Sequence, residues 1–399
     1  MKRISALIIS IAILLSIAIP VGAGAAVETV SGLKQTNAET NRVDFEWEPV
    51  FGQNVKYEIQ MGKTLDDLQT VRDDYYFTDY YTTNLSAGKS YYARVRAKID
   101  DVPGEWSEPL EIVTVPEETK SFVQTDCTTN SATFKWDAVE GATAYRVCEF
   151  NGQEKVIATT KDTTYTLKGM NNKTALESKI FVKPIREGAA YTAEKIYEYI
   201  YSWDSFAITA DEIKLTPKKV NTPVVDVIYS GLQLVSCSTS KVPFASNYQY
   251  AVYDAKNKKV FSGSSQTPSV DAKRGQFYKI RMRAYTTISA TNKTKYGTWS
   301  DYKYFGYGAN VSAKKIKKTN IKASWNKFKG ATNYTVYISK SANGGFKKAG
   351  TTKKTSFTIK KFGKKKITKK GTYYVKVVAN KKVGKKTIKS TDNSVASVR

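Results

Sequence analysis

The chain has 399 residues, a length that accommodates two to four domains, each large enough to bury a core. It has no histidine, which excludes Ser-His-Asp and Cys-His nucleophiles and every histidine-ligated zinc or haem site, and its three cysteines are too few for a four-cysteine metal site or a disulfide-dense scaffold. The formal charge of +27 points to polyanions as partners.

Residues 1–26 have the pattern of an export signal: Lys2 and Arg3, an apolar run from Ile4 to Ile19, Pro20 as a break, then small residues through Ala26. Cleavage would start the mature chain at Ala26 or Val27, and an uncleaved anchor is the alternative. No second apolar stretch is long enough to span a bilayer, no cysteine follows the first one to take a lipid, and the tail Ser397-Val398-Arg399 shows no Leu-Pro-x-Thr-Gly sorting pattern. A secreted, extracellular or wall-associated monomer is therefore expected.

The next predicted element is a strand, Phe45-Glu46-Trp47-Glu48-Pro49-Val50, in which apolar and polar residues alternate. A second alternating strand opens at Tyr57-Glu58-Ile59, a third runs from Gly88 through Tyr91 to Ala97, and Trp106-Ser107 opens a closing strand. The pattern returns at Phe134-Lys135-Trp136, followed by the turn Gly141-Ala142-Thr143-Ala144 and by Tyr145-Arg146-Val147. In this copy Ile180-Phe181-Val182-Lys183-Pro184 keeps the alternation, but Ser178 takes the tyrosine position. A third copy has Cys237 where the others have tryptophan, then Tyr248-Gln249-Tyr250, the run Gly275 to Ala284 around Tyr278, and Trp299-Ser300. The fourth has Ala323-Ser324-Trp325, the turn Gly330-Ala331-Thr332-Asn333, Tyr334-Thr335-Val336 and Gly371 to Ala379 around Tyr373. The copies recur roughly every 90–100 residues, the size of a small domain rather than a solenoid repeat.

The tryptophan strand, the Tyr-x-Ile/Val strand, the Gly-x-x-Tyr-x-x-x-Val-x-Ala strand and the late Trp-Ser resemble fibronectin type III domains. The resemblance implies an all-β chain of four tandem Ig-like antiparallel β-sandwiches, in which the Trp and Tyr positions are core. The boundaries expected are 1–26 for the signal, then 27–116, 117–219 (with an extended late hairpin), 220–308 (a degenerate copy) and 309–399 (lysine-rich). Short linkers around Val115–Thr119, Leu215–Lys219 and Tyr307–Asn310 suggest a semi-extended row with limited hinge freedom. The fourth copy, with Asn343-Gly344-Gly345-Phe346-Lys347-Lys348, looks like the lysine-rich versions found in secreted Gram-positive surface proteins.

Charge is concentrated at one end. Residues 311–399 hold 25 lysines and Arg399 against the single acid Asp392, while the three preceding copies together sum to zero. Self-repulsion at this density opposes folding, so the asymmetry points to a binding role. Lysine gives a diffuse field of point charges rather than planar bidentate recognition, which suits an extended polyanion. The polyanion-binding residues expected are Lys314, Lys315, Lys317, Lys318, Lys364, Lys365, Lys366, Lys369, Lys370, Lys381, Lys382, Lys385 and Lys386. The partner expected is an anionic cell-wall polymer or acidic glycan, a protein partner being a further possibility; a specific nucleic acid is not expected, for want of a nucleic-acid fold motif.

Weaker signals complete the reading. Tyr197, Tyr199, Tyr201 and Trp203 alternate along one face of a predicted strand, and they define an alternative function, a carbohydrate-binding module that stacks rings on sugars. The acid pairs Asp66-Asp67, Asp73-Asp74, Asp100-Asp101 and Glu117-Glu118 are expected in solvated turns or linkers, which argues against a two-carboxylate glycosidase. Catalytic residues, a metal site and a cofactor are none of them expected. Cys127 and Cys148 are close enough in sequence to pair, although an odd cysteine count argues against a designed framework.

Overall fold

The computed structural model describes residues 26–150, 152–170, 179–195, 207–209, 212–229, 234–317, 319–391 and 393–399. Every regular element among them is a β-strand, and the strands form fibronectin- or Ig-like antiparallel sandwiches. Residues 1–25, most of the expected signal 1–26, lie outside the described residues, within which no helix is long and apolar enough to cross a membrane. The described residues fall into two compact units, one drawn from 1–118, 138–145 and 183–200, the other from 119–137, 146–182 and 201–399.

In the first unit, Lys34–Ala38, Val43–Glu46 and Asp79–Thr82 form one sheet, and Gln69–Tyr75, Val55–Gly62, Ser90–Ile99, Val102–Pro103 and Leu110–Val113 the other. Period-two alternation sends Val43, Phe45, Tyr57, Ile59, Ala93, Val95 and Ala97 into one core with Trp47. Register fixes their layers: Tyr57 faces Ala97, Ile59 faces Val95 and Met61 faces Ala93. Trp47 meets Tyr57 edge-on at 5.3 Å.

The repeated tyrosines have a polar task as well as an apolar one. The hydroxyl of Tyr57 accepts the Val50 amide at 3.0 Å, that of Tyr145 the Val139 amide at 2.9 Å, that of Tyr248 the Val242 amide at 3.0 Å and that of Tyr334 the Phe328 amide at 3.0 Å. Each ring thus fills the core while its hydroxyl satisfies a buried or half-buried amide in the loop after the tryptophan strand. The late serines act similarly: Ser107 Oγ accepts the Val95 amide and Ser300 Oγ the Met282 amide.

The first unit also holds the second copy's turn. Gly141 packs on Gly88 so closely that a Cβ added to Gly141 would lie 2.0 Å from the Gly88 carbonyl oxygen. Lys89 Nζ and Glu140 Oε1 pair at 2.7 Å beside them, and Arg186 donates to the Gly141 carbonyl and to Ser90 Oγ.

In the second unit, Phe122–Cys127, Ser131–Trp136 and Thr164–Lys168 form a three-stranded sheet. Asp126 on its first strand is paired with Lys295 and lies 3.8 Å from Lys293, both in the Lys293–Tyr296 strand of the third copy. The third and fourth copies share a ten-stranded sheet, joined where Lys303–Tyr307 pairs in parallel with Lys386–Thr391, Gly306 against Ser390 and Tyr307 against Thr391. Tyr278, Ile280, Met282 and Ala284 of Gln276–Ile288 enter the third core, together with Cys237 at the tryptophan position. Phe277 points to the other face and enters the fourth core, where its ring lies 4.9 Å from that of Phe328. Backbone bonds lock the same joint: Phe277 N–H to Lys329 O, Lys329 N–H to Gly275 O and Gly308 N–H to Thr391 O.

One open question is answered and one expectation is corrected. Cys127 is a free thiol, its Sγ 3.6 Å from Thr216 Oγ1, so it forms no disulfide with Cys148. Asp73 and Asp74 lie in the strand Gln69–Tyr75, not in a turn, where Lys98 pairs with both at 2.6 and 2.8 Å.

Candidate polyanion-binding surface

The fourth copy closes its core with the sheet Ser312–Ile316, Asn320–Ser324 and Ser356–Ile359. Ile321, Ala323 and Ile359 face inward, so the alternate residues face solvent. Cross-strand register then aligns Ser312 with Ser324 and Ser356 in one row, and Lys314 with Lys322 and Thr358 in the next. Lys314 and Lys322 stand opposite each other, a pairing of like charges that disfavours the sheet by up to about 1 kcal/mol. They line an open groove with Ser312, Ser324, Thr355 and Ser356, and Trp325 forms part of its wall. A second like-charge pair, Lys361 opposite Lys366, closes the small hairpin that carries Lys364 and Lys365.

The remaining expected lysines are spread over the copy rather than drawn to one point. Lys317 is exposed in a turn with φ +47, and Lys364, Lys365, Lys366, Lys369, Lys370, Lys382, Lys385 and Lys386 are all exposed. Lys315 is half-buried and donates to the carbonyls of Lys369 and Gly371 at 2.8 and 3.1 Å, which ties its ammonium to the sandwich. Lys381 is half-buried near the joint with the third copy, and Lys318 lies outside the described residues. The aromatic stripe Tyr197, Tyr199, Tyr201 and Trp203 also lies outside the described residues.

The electrostatic contrast with the first copy is sharp. There, Lys34 pairs with Glu46, Lys56 with Asp101, Arg96 with Glu58 and Lys98 with Asp73 and Asp74. Lys98, hydrogen-bonded to both acids, is raised above the ordinary lysine value, and Asp73, accepting from Lys98, is held below the ordinary carboxylate value. Among the described residues, no lysine of 311–399 makes an ion pair with a carboxylate. Instead Lys340 sits 4.3 Å from the Tyr373 ring centre and Lys376 4.3 Å from that of Phe346. Burial would push the Tyr373 hydroxyl up, but hydrogen bonds from Thr368 and the nearby Lys340 bring it below the ordinary tyrosine value.

Two features escaped the reading by charge runs. Lys322, Ser312, Ser324 and Ser356 belong to the groove although none lies in a lysine cluster along the chain. The zero balance of the first three copies also conceals a gradient. Residues 27–116 carry 16 acids against nine bases, whereas residues 220–308 carry 12 bases against four acids.

Residues 28–113 match the fibronectin type III domain family. Among solved structures, the FN1–FN3 domains of chicken CNTN1 are 15% identical, covering 70% of this chain and 98% of that one, with a TM-score of 0.28. The sixth fibronectin type III domain from human fibronectin type III domain containing protein 3 is 20% identical over 25% of this chain and 96% of its own, with a TM-score of 0.23. No curated protein matches the chain.

Proposed function

We propose that this tandem β-sandwich protein is an exported, non-enzymatic adhesive or spacer module whose fourth copy binds an anionic surface polymer. The observation that carries the reading is the set of lysines in residues 311–399 that, among the described residues, have no carboxylate partner, with Lys314 facing Lys322 and Lys361 facing Lys366. A polymer bearing phosphate or carboxylate groups would relieve both like-charge pairs, and the neighbouring serines offer hydrogen bonds to its oxygens. An exposed lysine contact contributes at most about 1 kcal/mol, so retention depends on many contacts made together. Binding of this kind weakens steeply as salt rises, because each neutralised anion releases a counterion.

The test is sedimentation of the mature protein with purified Gram-positive walls, before and after removal of teichoic acid, across a salt series. Binding should collapse as salt rises, and replacing Lys314, Lys322, Lys361 and Lys366 by Gln should flatten the salt dependence. Binding indifferent to salt, or a quadruple variant that binds as the parent does, would refute the reading.

A further inference from the structure

The third copy carries a cationic feature of another kind. On Gln276–Ile288, Phe277, Lys279, Arg281 and Arg283 share the face away from the third core. Phe277 is taken up by the fourth core, and the three cations that follow stay partly exposed among aromatic rings. Lys279 Nζ lies 4.3 Å from the centre of Tyr302. The Arg281 and Arg283 guanidinium carbons both lie 4.5 Å from the Trp299 ring centre, and that of Arg283 is 3.9 Å from the Tyr296 ring. Arg281 Nη2 donates to the Tyr253 hydroxyl and Arg283 Nε to Gln249 Oε1. Among the described residues, Arg281 Nε is buried without a hydrogen-bond partner.

The first copy supplies an internal control. Arg94 and Arg96 lie 4.6 and 4.4 Å from the Trp106 ring centre, so the same stack is built there. In that copy Glu58 stands opposite Arg96 in register and accepts from its Nε at 2.7 Å. In the third copy the residue opposite Arg283 is Gln249, and the one opposite Arg281 is Ala251. The stack is kept, but its carboxylate is missing.

We propose that Lys279, Arg281 and Arg283 form a carboxylate-reading track for an acidic polysaccharide, in which a uronate carboxylate of the ligand takes the role that Glu58 plays in the first copy. The guanidinium faces are held by the rings, which fixes their planes and presents N–H groups to a planar carboxylate. The track also starts beside the lysine field: Lys279, Tyr304 and Phe277 border one small hollow with Lys381. Asp254 borders the same hollow, but its Oδ1 already accepts the backbone amides of Lys256 and Lys258. A chain lying on the fourth copy at Lys381 would therefore meet Lys279 of the third, so the proposal rests on the polyanion reading of the fourth copy.

The test uses the full mature chain with two probes, polygalacturonate and polyphosphate. Two variants address the track: Arg281→Lys with Arg283→Lys keeps the charge but loses the planar fork, and Gln249→Glu restores an internal carboxylate. Each should weaken polygalacturonate binding about tenfold at physiological salt, as expected for one charge-assisted contact, and weaken polyphosphate binding by a clearly smaller factor. Equal loss for both polymers would reduce the track to added charge and overturn the proposal. So would variants that bind polygalacturonate as the parent does, whether or not their melting temperature moves. Failure of the parent to bind either polymer would instead refute the lysine-field reading, on which the track depends.

Discussion

Replacing Phe277 by Ala tests how the third and fourth copies are coupled. The side chain is 1% exposed, belongs by sequence to the third copy and packs in the core of the fourth. Removing a fully buried phenylalanine costs about 3–5 kcal/mol, through lost burial and the cavity left behind. Here that loss falls on the joint, because the ring lies against Phe328 and over Gly306, where an added Cβ would approach Phe277 Cε1 to 2.5 Å. The amides bonded across this joint, Phe277 to Lys329, Lys329 to Gly275 and Gly308 to Thr391, report its opening directly. In hydrogen exchange of the full chain, their protection should fall at least a hundredfold, the factor to which about 3 kcal/mol corresponds. Peptides spanning Tyr91–Ala97 in the first copy should exchange as before. Unchanged protection at the joint, or an equal loss in the first copy, would refute the argument that Phe277 couples the two sandwiches.

Three further outcomes are expected. Gly141→Ala should lower the melting temperature markedly, since its φ is +77 and the new Cβ would meet the Gly88 carbonyl; Gly152→Ala, with φ +75 and nothing within 4 Å, should cost only the strain of about 1–2 kcal/mol. Equal losses at the two sites would show that the close approach to Gly88 contributes nothing. The Asp126 carboxyl is held below the usual range chiefly by the hydrogen bond from Lys295, with burial opposing. The folded chain therefore binds this proton less readily than the unfolded one, so the stabilisation is present at neutral pH and fades as pH falls through the folded value, below the ordinary carboxylate range. Asp126→Asn should flatten that acid limb in melting temperature against pH, and an unaltered limb would exclude the pair as its source. Burial pushes the Cys127 thiol up, so alkylation should be slow in the native chain and complete in denaturant without reductant. A requirement for reductant would contradict the free thiol.

The core was readable from sequence because tryptophan and tyrosine recur in alternating strands, even in the third copy, where Cys237 replaces the tryptophan but Tyr248 keeps its hydroxyl bond to the Val242 amide. What sequence could not supply was cross-strand register. Lys314 and Lys315 are neighbours in a charge run, yet strand alternation turns Lys314 out to the groove while Lys315 reaches back to the carbonyls of Lys369 and Gly371. The groove's other lysine, Lys322, lies eight residues on and is brought opposite only by pairing. The same holds for the arginines of the third copy: Arg281 and Arg283 are plain in the sequence, but the residues that would neutralise them lie on another strand, 30 or more positions earlier. Asp73 and Asp74 show the reverse error, because paired acids suggest a turn until Lys98 is seen across the sheet to hold them.

The turn Gly-Ala-Thr, shared by the second and fourth copies, meets the same partner in both: Gly141 rests on Gly88, and the Lys329 amide just before Gly330 bonds to the carbonyl of Gly275, the glycine that opens the corresponding strand. Plug and socket are thus carried by different parts of one sequence pattern. A copy that bears the glycine can accept any copy that bears the turn, with no new interface to be invented. Duplication or loss of a pair of copies would leave joints of familiar form, whereas an insertion or deletion of a few residues at either glycine would break them. Such a chain can vary in its number of copy pairs while each joint of glycine and turn keeps its form.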